Sequence, residues 1–182
     1  MIYLCDISNL SIDKHEFKSL ESYVGHLLLK YALRKRCVNL EECIIKYNEN
    51  GKPYIKDINF HYNISHSKNL VCLIISDNEC GIDIQYYDNN RNFDKIVDKY
   101  FTNNHKENYY KLDNDDRNKF FYQIWVQIEA HIKMLGSNMI KAKELKYPEY
   151  KVLSLKDKLS NSYYLASSKE EDVVTISYND LI

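Results

Sequence analysis

Glycine and proline are scarce, four and two in 182 residues, in a chain full of Asn, Lys, Ile and Tyr. The bias reads as codon usage in the source rather than as function. No apolar run approaches the roughly 20 residues needed to span a bilayer, so no membrane segment is expected. Charge of one sign is also lacking, with 25 Lys+Arg against 26 Asp+Glu and a formal net charge of -1. Without a basic excess the electrostatic footprint of a nucleic-acid binder is absent, although a local basic pocket for one small anion remains compatible. The five cysteines, Cys5, Cys37, Cys43, Cys72 and Cys80, contain no C-x-x-C pair, which speaks against a disulfide framework and against a zinc site. The amino terminus has no basic region ahead of a long apolar stretch, since Asp6 interrupts after five residues. A cytoplasmic protein with reduced thiols is expected.

What is present is core-forming. With 45% apolar and 13% aromatic residues beside 28% charged ones, the chain is too rich in packing side chains to be disordered, and its length suits one sizeable domain or two small ones sharing a core. Asp13 and Glu16 have capping-box spacing, and Phe17, Leu20, Val24, Leu27, Leu28 and Tyr31 recur at helical intervals, which predicts a helix from about Asp13 to Arg36. Asn50-Gly51 between two short β-type runs predicts a hairpin, its second run limited to an edge by Pro53. Leu70–Ile75 reads as a buried strand and GIDIQ as the next. Two short helices follow, within 92–101 and 102–112. A long helix then starts at the Asp113–Asp116 caps, carries Phe121, Trp125, Ile128, Ile132 and Leu135 on one stripe, and stops at Gly136. Three strands close the chain, near 151–155, 162–166 and 173–178. Each half is a helix with antiparallel strands, which suggests a pseudo-duplicated α+β fold divided into lobes 1–86 and 87–182.

Four segments place polar residues where burial or a tight turn is expected: NGKPYI (50–55), NISHS (63–67), GIDIQ (81–85) and WVQIEAHIK (125–133). In GIDIQ, Asp83 and Gln85 share one strand face, where two oxygen donors can meet a hard cation, but a solvent-facing strand shows the same alternation. Glu129 and Lys133 are spaced for an ordinary helical surface ion pair. His66 between two serines fits a hydrogen-bonded loop histidine, and Lys52 fits a solvated turn lysine.

Order and spacing decide between these readings. NGKP, then NISHS, then GIDIQ, then W-x-x-x-E-A-x-x-K, preceded by SYVGHLLLKYAL (22–33) and closed by VVTISYNDLI, resembles the 4'-phosphopantetheinyl transferase superfamily, in its surfactin-type single-chain branch. The resemblance runs from Ser22 to Ile182. It implies a pseudo-twofold pair of helix-plus-antiparallel-sheet lobes with coenzyme A between them. It further implies magnesium-dependent transfer of the phosphopantetheine arm to a serine of an apo acyl or peptidyl carrier protein, by a chain acting as a monomer.

Residue by residue, the resemblance puts Asn50, Gly51, Lys52, Pro53 and Ser65 at the adenosine side of coenzyme A and His66 at the 3'-phosphate. Asp83 and Glu129 match the magnesium carboxylates, and Gln85 occupies the position of a third, usually acidic, ligand. Glu129 is also the candidate base for the acceptor serine, and Lys133 matches a lysine near the pyrophosphate. Trp125 is a packing anchor. Three positions depart from the pattern. Gln85 lacks a charge, Ile128 stands where a phosphate-facing lysine is usual, and Glu21 stands where a basic residue is usual. The segment ahead of Ser22 is short, so its basic residues have no clear counterparts beyond Lys14 or Lys18. The departures leave a second reading open, a weakly active or inactive relative that binds coenzyme A or a protein partner.

Overall fold

The computed structural model describes residues 1–10, 19–89, 91–138 and 148–182. Strand β1 (Ile2–Asp6) leads to helix α1 (Leu20–Arg34), the short hairpin β2 (Ile45–Tyr47) and β3 (Pro53–Ile55), then β4 (His61–Ser67), β5 (Leu70–Ser76) and β6 (Ile82–Tyr86). Helices α2 (Asp94–Tyr100), α3 (Asn103–Lys111) and α4 (Asn114–Leu135) follow, and β7 (Val152–Lys156), β8 (Ser162–Ser167) and β9 (Val173–Thr175) end the chain. The architecture is mixed α+β.

Local chemistry sets the helix ends. Ser19 caps α1, its hydroxyl accepting from the Ser22 amide, and the expected capping residues Asp13 and Glu16 lie outside the described residues. Thr102 caps α3 and Asp113 caps α4 through the amides of His105 and Asp116. Gly136 closes α4 in the left-handed conformation, φ 56°, as the stop signal requires.

Four strands form one sheet in the order β4-β5-β1-β9, and three form another in the order β6-β8-β7. All pairings are antiparallel except β1 with β9, which is parallel. β6, within residues 1–86, pairs with β8, and β9, within residues 87–182, pairs with β1, so each expected lobe lends a strand to the other's sheet. Val71, Leu73 and Ile75 turn one face of the larger sheet to Val24, Leu28 and Ala32 of α1. Ile2, Leu4, Leu70, Cys72 and Ile74 turn its other face to Ile82, Ile84, Tyr163 and Leu165 of the smaller sheet. The outer face of that sheet takes α4, through Val126 and Ala130 against Ala166. Burial pushes the thiol of Cys5 up to about 11 and those of Cys72 and Cys80 up to about 12, so all three are neutral packing groups. Among the described residues no helix is long and apolar enough to cross a membrane.

The helical stripe of α4 divides as its period demands. Phe121, Ile128 and Ile132 are buried with Phe93, Val97, Phe101 and Tyr109 from the short helices, and Trp125 stacks on Phe121 at 5.7 Å. Leu135, at the helix end, is 47% exposed. Ile128 is only 1% exposed, so the position expected to face phosphate in relatives is plain core in this chain.

The two sheets meet edge to edge at β4 and β6, and side chains join them. Asn63 Oδ1 accepts from the Ile82 amide at 3.0 Å, Ser65 Oγ from Ile84 at 3.4 Å, and Ser67 Oγ from Tyr86 at 2.9 Å. Period-two polar side chains of one edge strand thus satisfy the free amides of the other.

Candidate active site

The site begins with a glycine. A Cβ on Gly81 would fall 2.1 Å from the Ala130 carbonyl oxygen and 2.4 Å from the Met134 amide nitrogen, both backbone atoms of α4. Only glycine lets the helix cross β6 this closely. The crossing brings Glu129 and Lys133, each one residue before a contacting position on the helix, to Asp83 on the strand.

Asp83 is 1% exposed, so GIDIQ is not a solvent-facing strand. Its Oδ1 accepts from Lys133 Nζ at 2.6 Å and from Ser65 Oγ at 2.8 Å, and its Oδ2 accepts from Gln85 Nε2 at 3.0 Å. Lys133 Nζ also donates to Ser65 Oγ at 2.9 Å. A buried carboxylate needs such compensation, and here an ammonium, a hydroxyl and an amide supply it. The ion pair of Lys133 is therefore with Asp83, fifty residues away in sequence, and not the helical pair with Glu129 that spacing alone suggests.

Glu129 is half-buried beside this cluster. Burial pushes its pKa up, the neighbouring Asp83 pushes it further up, and Lys133 opposes both. Such a carboxylate is suited to taking a proton or to sharing a cation. Among the described residues no three His, Cys, Asp or Glu gather in one place, so a divalent ion here would rest on Asp83, Glu129 and the Gln85 amide oxygen. These are hard oxygen donors. Magnesium commonly takes one or two protein carboxylates and fills the rest of its octahedron with water and phosphate, so the donor set fits.

The other sequence-derived candidates lie around this centre. Asn50 and Gly51 are exposed at the tip of the β2–β3 hairpin, where Gly51 has φ 87°, and Pro53 opens β3. Ser65 is buried at the seam, whereas His66 is exposed on the opposite face of β4. Lys52 is not a solvated turn lysine. Its Nζ donates to the Met134 carbonyl at 2.6 Å and to Glu79 Oε2 at 2.5 Å, joining the hairpin to the end of α4. The structure thus gathers Ser65, Asp83, Gln85, Glu129 and Lys133 directly and ties the hairpin to them through the helix. Sequence reasoning passed over Asn48 and Glu79, and it singled out the NISHS segment without giving Asn63 or Ser67 a role. The alternation Asn63, Ser65, Ser67 on one strand face was the signal available for that pair.

The sequence profile of the 4'-phosphopantetheinyl transferase superfamily matches residues 79–180, which hold both the Gly81–Asp83 segment and the helix bearing Glu129 and Lys133. The chain belongs to that superfamily. It is 33% identical over 123 residues to the 4'-phosphopantetheinyl transferase gsp of Aneurinibacillus migulanus, covering 65% of this chain and 49% of that one. It is 26% identical over 119 residues to psf-1 of Bacillus pumilus, covering 64% and 50%, and 26% identical over 129 residues to Sfp of Bacillus subtilis (strain 168), covering 69% and 56%. The chain spans about half the length of the curated relatives it matches.

Proposed function

We propose that this protein transfers the 4'-phosphopantetheine arm of coenzyme A to a serine of an apo acyl or peptidyl carrier protein, releasing adenosine 3',5'-bisphosphate. The observation that carries the reading is the meeting of Asp83, Glu129 and Lys133 at the Gly81 crossing, inside the segment matched by the superfamily. Glu129, raised by burial and by Asp83, takes the proton of the acceptor serine as its oxygen bonds to the β-phosphorus. The bond from that phosphorus to the bridging oxygen breaks, and Lys133 offsets charge on the departing bisphosphate. Asp83, Glu129 and Gln85 would hold magnesium, which when bound supplies positive charge to the pyrophosphate. The turn Asn50-Gly51-Lys52-Pro53, with Ser65 and His66, forms the coenzyme side. The reading extends to a cytoplasmic monomer of two pseudo-twofold lobes, 1–86 and 87–182.

A second reading is a weakly active or inactive relative that binds coenzyme A or a protein partner. It is favoured by the engagement of both Asp83 oxygens with Lys133, Ser65 and Gln85 and by the burial of Ile128. Mass spectrometry of an apo carrier protein incubated with this protein, coenzyme A and magnesium separates the two. A phosphopantetheine adduct is the expected outcome, and an unmodified carrier beside measurable coenzyme A binding selects the second reading.

A further inference from the structure

Helix α4 ends in a way that leaves work for another element. The amides of Gly136 and Ser137 turn back to the carbonyls of Ile132 and Lys133, the usual satisfaction of a left-handed C-cap. The Met134 and Gly136 carbonyls are taken by the β2–β3 hairpin instead. Lys52 Nζ donates to Met134 O at 2.6 Å, and Asn48 Nδ2 donates to Gly136 O at 3.1 Å. An ammonium and an amide placed on these carbonyls also meet the negative end of a 22-residue helix.

The same two residues shape the hairpin. Asn48 Oδ1 accepts from the amides of Asn50 at 3.0 Å and Lys52 at 2.8 Å, which folds the NGKP turn on its own side chain. Glu79, next to the start of β6, holds Lys52 with one oxygen and approaches His61 Nδ1 at 3.2 Å with the other. A side chain at residue 136 would have to displace Asn48 and Lys52 and would sit on a backbone of φ 56°. A Cβ there would lie 2.4 Å from Asn48 Nδ2 and 3.0 Å from Lys52 Cδ.

We infer that Asn48 and Lys52 are positioning residues, a clasp that fixes the NGKP turn against the last turn of α4 and so sets the distance between the coenzyme side and Glu129 and Lys133. The side chain of Lys52 is only 13% exposed, and its ammonium, held by a carbonyl and a carboxylate, acts on the helix and not on a ligand phosphate. Lys133 directly precedes the carbonyl that Lys52 holds, so loosening the clasp frees the turn that carries it. The inference rests on the transferase reading for its functional half and on the fold alone for its structural half.

Two measurements on Lys52→Met, which keeps the stem, on Asn48→Ala and on the conservative Lys52→Arg test it separately. Amide hydrogen exchange over residues 132–138 should speed up about tenfold in Lys52→Met, the loss of one charge-assisted hydrogen bond, by a few-fold in Asn48→Ala, the loss of a neutral one, and return toward wild type in Lys52→Arg. Binding of coenzyme A and of dephospho-coenzyme A should weaken by the same factor in each variant, with kcat lowered more than KM is raised. Lys52→Met that weakens coenzyme A alone, with exchange at 132–138 unchanged, overturns the inference and makes Lys52 a phosphate ligand. Unchanged exchange with unchanged binding overturns it as well. If wild-type protein binds neither ligand, the transferase reading fails and the exchange data still decide the clasp.

Discussion

Lys133 Nζ lies 2.6 Å from Asp83 Oδ1, and the two share Ser65 Oγ, which donates to the carboxylate at 2.8 Å and accepts from the ammonium at 2.9 Å. One triangle thereby ties α4, β6 and β4 together. It also leaves Glu129 as the carboxylate of the cluster without an ion pair among the described residues, and this asymmetry gives the first prediction.

Glu129→Gln should lower transfer about 10²–10⁴-fold, the range for a lost general base. The pH dependence has two opposite signs. As a base, Glu129 works only when ionised, so transfer falls as pH drops through its raised pKa. A raised folded-state pKa favours the protonated form, so its stabilisation is complete below the ordinary glutamate value and is lost as pH rises through the shifted one. The uncharged variant should therefore melt at or above the wild-type temperature at pH 8 while losing turnover. Near-normal turnover would remove the base role.

Gln85→Glu should respond to magnesium more strongly than wild type. The amide now donates to Asp83 Oδ2 at 3.0 Å, and a carboxylate in its place loses that bond and repels Asp83. Melting temperature should drop in chelator and recover with magnesium, and the ion should bind about tenfold or more tightly than in wild type, ~1.4 kcal/mol. Identical magnesium titrations in the two proteins would show that residue 85 is not a ligand.

Ile128→Lys should unfold the protein more easily without improving coenzyme A binding. Ile128 is buried among Phe93, Phe121 and Tyr109, so an ammonium there is an uncompensated buried charge worth about 3–5 kcal/mol. Thermal melts and ligand titration on the variant check this. A gain in affinity with an unchanged melt would mean that the side chain reaches the cleft.

Acid stability should depend on Asp157. Burial raises its pKa, but hydrogen bonds from Asn161, Asn69 and Tyr163 outweigh burial and hold it at about 2. A depressed folded-state pKa stabilises above the ordinary value of 3.8 and is lost as pH falls to about 2. Asp157→Asn should weaken the fold at pH 7 by roughly 1–3 kcal/mol and flatten the acid-unfolding curve between those two values. Parallel wild-type and variant curves through that window would refute it.

The sequence by itself determined whatever depends on near neighbours. The Asp113 cap, the Gly136 stop, the hairpin at Asn50-Gly51 and the one-sided pairing of Asp83 with Gln85 all follow from turn chemistry and period, and the order of the four motifs disclosed the superfamily. Only the tertiary structure decided the contacts made across long stretches of chain. Lys133 could pair with Glu129 one turn away or with Asp83 fifty residues away, and desolvation of Asp83 beneath the helix settled the choice. Ile128 could line a cleft or a core, and the aromatic residues of α2 and α3 made it core. Lys52 could meet solvent or a helix end, and the Met134 carbonyl of α4 took it while the carbonyl of the Gly136 cap took Asn48. Local pattern fixes which face of an element a residue occupies. What stands opposite that face is set by how separate elements bury their surfaces together, and no window of sequence contains both sides.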